Sequence, residues 1–216
     1  AFSPDGQFVA CGSRSRTGML TVWNFRRRAQ VLSTPHGHSG AVTAIAYSAD
    51  CSVIYTGSDD HTVRMRRTSP GSLSVVLPGV GHRATVTCLA SSPDGQHVAS
   101  GSTDGIIIIW NAKSGAATST LRCHSIGRTP IECFRDAEGP AVTALAYSAN
   151  GQRLISGSPD GVVRVWDATE MWRRYDAASD LWGYKTTAVG MAAQVTRALV
   201  DRLRNDLQLG SRIEID

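Results

Sequence analysis

Apolar residues along this chain come in short bursts fenced by turn residues, and the same burst returns. "GSTDGIIIIWN" (101–111) sets small and polar residues before four isoleucines and a tryptophan. A β-branched run bounded by turn formers and closed by an aromatic predicts a short strand buried on both faces. "TGSDDHTVRMRR" (56–67) and "SGSPDGVVRVWD" (156–167) repeat the phrase, and "CGSRSRTGMLTVWN" (11–24) repeats it more loosely. Upstream of each lies a second phrase: "AFSPDGQFVA" (1–10), "AYSADCSVIY" (46–55), "ASSPDGQHVA" (90–99) and "AYSANGQRLI" (146–155). It reads as strand, tight turn, strand, because Pro, Asp, Asn, Ser and Gly interrupt the apolar residues. A third phrase, "GHSGAVTAIA" (37–46) and "GHRATVTCLA" (81–90), runs from a Gly-His pair into alternating apolar residues.

Trp23, Arg66 and Trp110 close successive copies at intervals of 43 and 44 residues, and Trp166 follows after 56, an excess that places an insertion at 123–139. That period is one propeller blade, which buries its faces only against its neighbours. Here the chain resembles the WD-repeat family, through the Gly-His pairs at 37–38 and 81–82 and the closing pairs "WN", "WN" and "WD" at 23–24, 110–111 and 166–167. The resemblance implies an all-β propeller over residues 1–168, with blades at 1–35, 36–80, 81–122 and 123–168. The first blade is expected to lack its first strand, since the pattern opens inside the repeat, and the four visible blades are expected to be part of a larger ring.

In that family a His in the loop leading into a blade, a Ser or Thr on the second strand, an Asp in the turn after it and a Trp on the third strand form a hydrogen-bonded chain. Carried over, the third blade has the full set, His82, Ser100, Asp104 and Trp110. Buried polar groups that satisfy one another in this way stabilise a fold, so Asp104 is expected to be a structural clamp. The second blade offers His38, Thr56 and Asp60, but Arg66 and Arg67 stand where Trp-Asp belongs. Loss of Asp104 is therefore expected to cost more than loss of Asp60. The fourth blade keeps Ser156, Asp160 and Trp166 with Glu138 at the His position, and the first has Cys11 and Trp23 but no Asp in "RSRTG".

Composition adds exclusions. No apolar stretch approaches the roughly 18 residues of a membrane helix, and the 21 glycines suit many tight turns. The five cysteines, Cys11, Cys51, Cys88, Cys123 and Cys133, show no CxxC spacing and read as reduced thiols of an intracellular protein, cytoplasmic or nuclear, without a metal. Net charge is +4, almost all of the positive charge being arginine, and it concentrates in "FRRR" (25–28) and "RMRR" (64–67). Solvated loop and edge-strand charge is the plain reading of Arg26, Arg27, Arg28, Arg64, Arg66 and Arg67; weak contact with RNA or another anionic partner is the alternative.

After Asp167 the pattern stops. Residues 169–216 form an irregular segment and then a tail in which Ala192, Val195, Leu199, Leu203 and Leu207 make the stripe of an amphipathic helix. The stripe would dock on the propeller, pair with a partner helix or stay frayed. With two apolar terminal faces, the isolated chain is expected to self-associate.

For function, the histidines sit in turns and leading loops, and neither a Gly-x-Ser-x-Gly elbow nor a phosphate-binding glycine loop occurs. A non-catalytic interaction scaffold without a cofactor is the resulting expectation, and the remote alternative is a propeller enzyme. The resemblance implies docking of proteins or peptides on the face where leading loops and second turns converge, here Arg83, Thr85, Asp59, Thr103 and Pro159. A narrower likeness, carried by "AVTALAYSANGQRLISGSPDGVVRVWD" (141–167), is to the WD-repeat subunit of complexes that process pre-ribosomal RNA and assemble the large ribosomal subunit.

Overall fold

A computed structural model of the chain describes residues 1–15, 18–35, 37–69, 74–77, 81–122 and 140–169. Four short antiparallel sheets follow one another along the sequence. The first holds β1 (Phe8–Gly12), β2 (Met19–Asn24) and β3 (Ala29–Pro35) in that order. The second holds β4 (Val42–Tyr47), β5 (Val53–Ser58), β6 (Val63–Arg67) and β7 (Ser74–Val76). The third holds β8 (Val86–Ser91), β9 (His97–Ser102), β10 (Ile106–Asn111) and β11 (Ala117–Arg122). The fourth holds β12 (Ala144–Tyr147), β13 (Arg153–Gly157) and β14 (Val163–Asp167). The insertion at 123–139, Glu138 and the tail stripe at 192–207 lie outside the described residues.

The first sheet has three strands where the second and third have four, and ahead of β1 only a short bridge is formed. The amino group of Ala1 donates to Ala10 O at 2.9 Å, Ala10 N donates to Ala1 O at 2.8 Å, and Phe2 bridges Val9. Two residues thus pair with β1.

The isoleucine run is buried on both faces, as its composition predicts. Side chains alternate across a strand, so Ile108 and Trp110 pack with Tyr55, Val63 and Leu77 of the second sheet. Ile107 and Ile109 face the other way, onto Val142 and Leu154 at the fourth sheet. A third cluster, Ala10, Leu20, Val22, Tyr47 and Ile54, joins the first sheet to the second. Each full burial of such a side chain contributes about 1.5–3 kcal/mol, so the cores lie between sheets rather than within them.

The hairpin from first to second strand is built the same way in each repeat. Ser48 Oγ accepts from Val53 N at 2.9 Å and donates to Asp50 at 2.6 Å, while Asp50 accepts from Ser52 N at 3.0 Å. These bonds, that from Ser48 first, hold Asp50 down to about 2. Ser3 with Asp5, Ser92 with Asp94 and Ser148 with Asn150 repeat the arrangement. One position departs. Where three hairpins place glycine at positive φ (Gly6, Gly95 and Gly151), the second has Cys51 at φ 61°. A side chain in that region costs roughly 1–2 kcal/mol, so Cys51→Gly is expected to stabilise the chain by about 1 kcal/mol net of the added unfolded-state entropy. Urea denaturation checks this; a loss of stability would mean that Cys51 makes compensating contacts.

Candidate functional site: a clamped rim of loops

In the second repeat a carboxylate ties together the loop leading into the sheet and the turn between β5 and β6. Asp60 accepts from His38 Nδ1 at 2.9 Å, Ser39 N at 2.9 Å, Thr62 N at 3.0 Å and Thr62 Oγ1 at 2.7 Å. His38 Nε2 lies 2.8 Å from Thr56 Oγ1 on β5. A neutral imidazole satisfies every contact, with Nδ1–H donating to Asp60 and Nε2 accepting from the Thr56 hydroxyl. Burial is the largest influence on His38 and lowers its pKa; the Asp60 charge opposes this and the nearby Arg64 charge adds to it. Burial alone would raise Asp60, yet the bonds from Thr62 and Ser39 and the His38 charge hold it at about 2.

The third repeat builds the same clamp with different weights. His82 Nε2 lies 2.7 Å from Ser100 Oγ, which also accepts from Trp110 Nε1 at 2.8 Å. Asp104 accepts from Arg83 N and Ile106 N, both at 2.9 Å, but His82 Nδ1 stands off at 3.4 Å. All four expected residues meet, with the indole rather than the carboxylate making the tighter end. In the fourth repeat Trp166 Nε1 donates to Ser156 Oγ at 2.9 Å, and Asp160 accepts from Val162 N at 3.0 Å. Trp23 of the first repeat is 43% exposed, against 1% for Trp110.

The clamps hold the expected docking residues at one end of their sheets. Asp59 N donates to Ala41 O and Thr103 N to Thr85 O, both at 3.0 Å, so leading loop and second turn are bonded through the backbone. Arg83, Asp59, Thr103 and Pro159 are exposed there and Thr85 is half-buried. The second turn of one repeat meets the leading loop of the next, where a cleft is lined by Asp60, His61, Thr62, Gly81 and His82.

Two features escaped the sequence reading. Thr43 Oγ1 donates to Gly57 O of its own sheet at 3.1 Å and also reaches Val86 O of the next. Thr87 does the same with Gly101 O at 3.1 Å and Val142 O. The Val-Thr pair recurring at 42–43, 86–87 and 142–143 was the available signal. The second concerns the arginines. Arg26, Arg27 and Arg28 occupy an exposed turn between β2 and β3, as expected of solvated charge. Arg64 and Arg66 do not fit that description, because β6 lies between β5 and β7 rather than at an edge, and Arg66 is 8% exposed. Only Arg67 of that cluster is exposed. Burial pushes the Cys88 thiol up to about 11, which makes it a poor nucleophile near neutral pH. Among the described residues no His, Cys, Asp and Glu gather as a metal site would require, and no helix is long and apolar enough to cross a membrane.

The His38 environment sets a pH dependence. Its folded pKa lies below its ordinary 6.5, so on acidification the unfolded chain binds a proton that the folded chain refuses. Stability from this group is therefore complete above pH 6.5 and declines as pH falls below it, with a slope of up to about 1.4 kcal/mol per pH unit. His97, also lowered by burial, adds in the same direction. Urea titrations at pH 7.5, 6.5 and 5.5 should show this decline, shallower in His38→Gln; a flat profile would contradict the buried neutral imidazole.

A sequence profile described as "WD domain, G-beta repeat" matches residues 1–24, 29–66, 72–111 and 128–167. Striatin of Homo sapiens is 33% identical over 154 residues, covering 64% of this chain and 18% of striatin. The periodic tryptophan protein 2 homolog of Schizosaccharomyces pombe is 30% identical over 173 residues, covering 77% of this chain and 20% of that protein. The small ribosomal subunit protein RACK1 of Candida albicans is 28% identical over 171 residues, covering 63% of this chain and 54% of that protein. The chain thus spans about a fifth of the length of the first two relatives and about half of the third.

Proposed function

Because the chain belongs to the WD-repeat family, we propose that it acts as a non-catalytic protein-interaction scaffold that docks partner peptides on the clamped rim. The supporting observation is the double clamp. Asp60 and Asp104 each bond both loops of their repeat, and Asp59, Arg83 and Thr103 stand exposed on the loops so fixed. Rigid loops lose less entropy when a partner binds, which is how a rim of ordinary residues gains affinity. The buried carboxylates are saturated by backbone and side-chain donors, which suits a structural role better than acid–base chemistry. A subunit of a pre-ribosomal complex is one pathway in which such a rim would serve, and no rim residue singles it out.

The test is affinity capture with quantitative mass spectrometry, comparing the wild-type chain with an Asp59→Lys, Arg83→Glu, Thr103→Arg variant. A second variant replaces Arg26, Arg27 and Arg28 by Gln at the opposite ends of the strands. Specific partners should fall about tenfold or more in the rim variant, the ordinary weight of a few central contacts, and persist in the other. An unchanged partner set in a folded rim variant would defeat this reading.

A further inference from the structure

We propose that Arg64 and Arg66 form a receptor for a carboxylate side chain of a docked acidic peptide, at the junction of the first and second sheets. This rests on the scaffold reading and names the chemistry of one contact within it.

Along β6, Val63 and Met65 pack toward the third sheet. Alternation therefore turns Arg64 and Arg66 to the opposite face, toward the first sheet. Register agrees. Arg66 pairs with Ile54, which packs on Ala10, Leu20 and Val22, and Arg64 pairs with Thr56, the clamp residue. Arg66 occupies the place held by Trp110 and Trp166, whose indoles bond Ser100 and Ser156. It brings a charge where the other repeats bring an apolar ring.

Among the described residues no carboxylate pairs with that charge. Arg66 is 8% exposed, and the Nε atoms of Arg64 and Arg66 are both buried without a hydrogen-bond acceptor. Neither arginine takes part in the two clamp ion pairs, His38 with Asp60 and His82 with Asp104. A guanidinium whose Nε is buried without an acceptor is unfavourable, and a carboxylate that accepts from Nε and a terminal nitrogen together is its natural complement. The way in is the half-buried Arg64. Its guanidinium lies against Gly37 in the leading loop, where an added Cβ would come within 2.6 Å of Nη1, so Arg64 is the member of the pair that reaches the rim loops.

The same geometry disfavours nucleic acid. A phosphate backbone needs a continuous basic track, whereas Asp59 and Asp60 stand on the same rim and Arg26, Arg27 and Arg28 lie at the far end of their sheet. A pair set on one strand, with Arg66 buried, suits one flexible carboxylate side chain and not a polyanion laid flat.

Fluorescence anisotropy on the full chain tests this with a labelled hexaglutamate peptide, a hexalysine peptide and an oligouridine as probes. Hexaglutamate should bind in preference to both others. Binding should weaken about tenfold or more in Arg66→Trp and in Arg64→Gln, the loss expected of a charge-assisted bidentate contact, and stay unchanged in Arg27→Gln. Arg66→Trp restores the residue of the neighbouring repeats and should melt higher than the wild type, which keeps the test valid if other variants unfold. Equal hexaglutamate binding in wild type and Arg66→Trp, or tighter binding of oligouridine, overturns the proposal. Failure of the scaffold reading is distinct: it shows as partner capture that ignores the rim variant.

Discussion

Replacing Trp110 by Ala lowers the stability of the chain by about 3–5 kcal/mol, whereas the same change at Trp23 costs under about 1 kcal/mol. The two tryptophans close equivalent strands, and their surroundings separate them. Trp110 is 1% exposed, packs against Tyr55, Val63 and Leu77 across the sheet junction, and donates to Ser100 Oγ at 2.8 Å. Its removal opens a cavity between two sheets and leaves Ser100 with one fewer donor. Trp23 leaves 43% of its surface to solvent and belongs to none of the buried clusters. Urea denaturation of both variants is the measurement. Similar losses would mean that packing between sheets contributes little beyond strand pairing.

Replacing Asp60 by Ala costs about 2–3 kcal/mol, more than the 1–2 kcal/mol expected for Asp104→Ala. This reverses the ranking that the motif implies. Asp60 satisfies four donors, three from the backbone or hydroxyls of Ser39 and Thr62 and one from His38 at 2.9 Å. Asp104 satisfies two backbone donors and sits 3.4 Å from His82. The low pKa of Asp60 gives the pH window. Being depressed to about 2, it contributes stability above its ordinary 3.8 that is lost as pH falls through about 2. Thermal melts at pH 7 compare the two variants, with Asp60→Asn expected to recover part of the loss. If Asp104→Ala proved the costlier, the tryptophan rather than the carboxylate would govern the strength of the clamp.

Much of this was legible because it is local. Ser48, Asp50 and the residue at 51 make a hairpin by hydrogen bonds spanning two to five positions, so the phrase around them announces the turn wherever it occurs. The run Ile106–Asn111 needs two apolar neighbours for the simple reason that it has two apolar faces. The meeting of His82, Ser100, Asp104 and Trp110 followed from the family resemblance, since residues up to 28 positions apart carry no local signal of contact.

By itself the sequence determined the strands, the hairpins and their repetition, because these rest on alternation and turn chemistry between near neighbours. Only the packing of one sheet on the next decided what each repeated position does. It made Trp110 a core residue and Trp23 a half-open one, turned Arg64 and Arg66 inward from a cluster that reads as surface charge, and recruited Thr62, Thr43 and Thr87 as donors. Burial and long-range hydrogen bonds are properties of a position's three-dimensional neighbours, and a repeat can keep its spelling while those neighbours change.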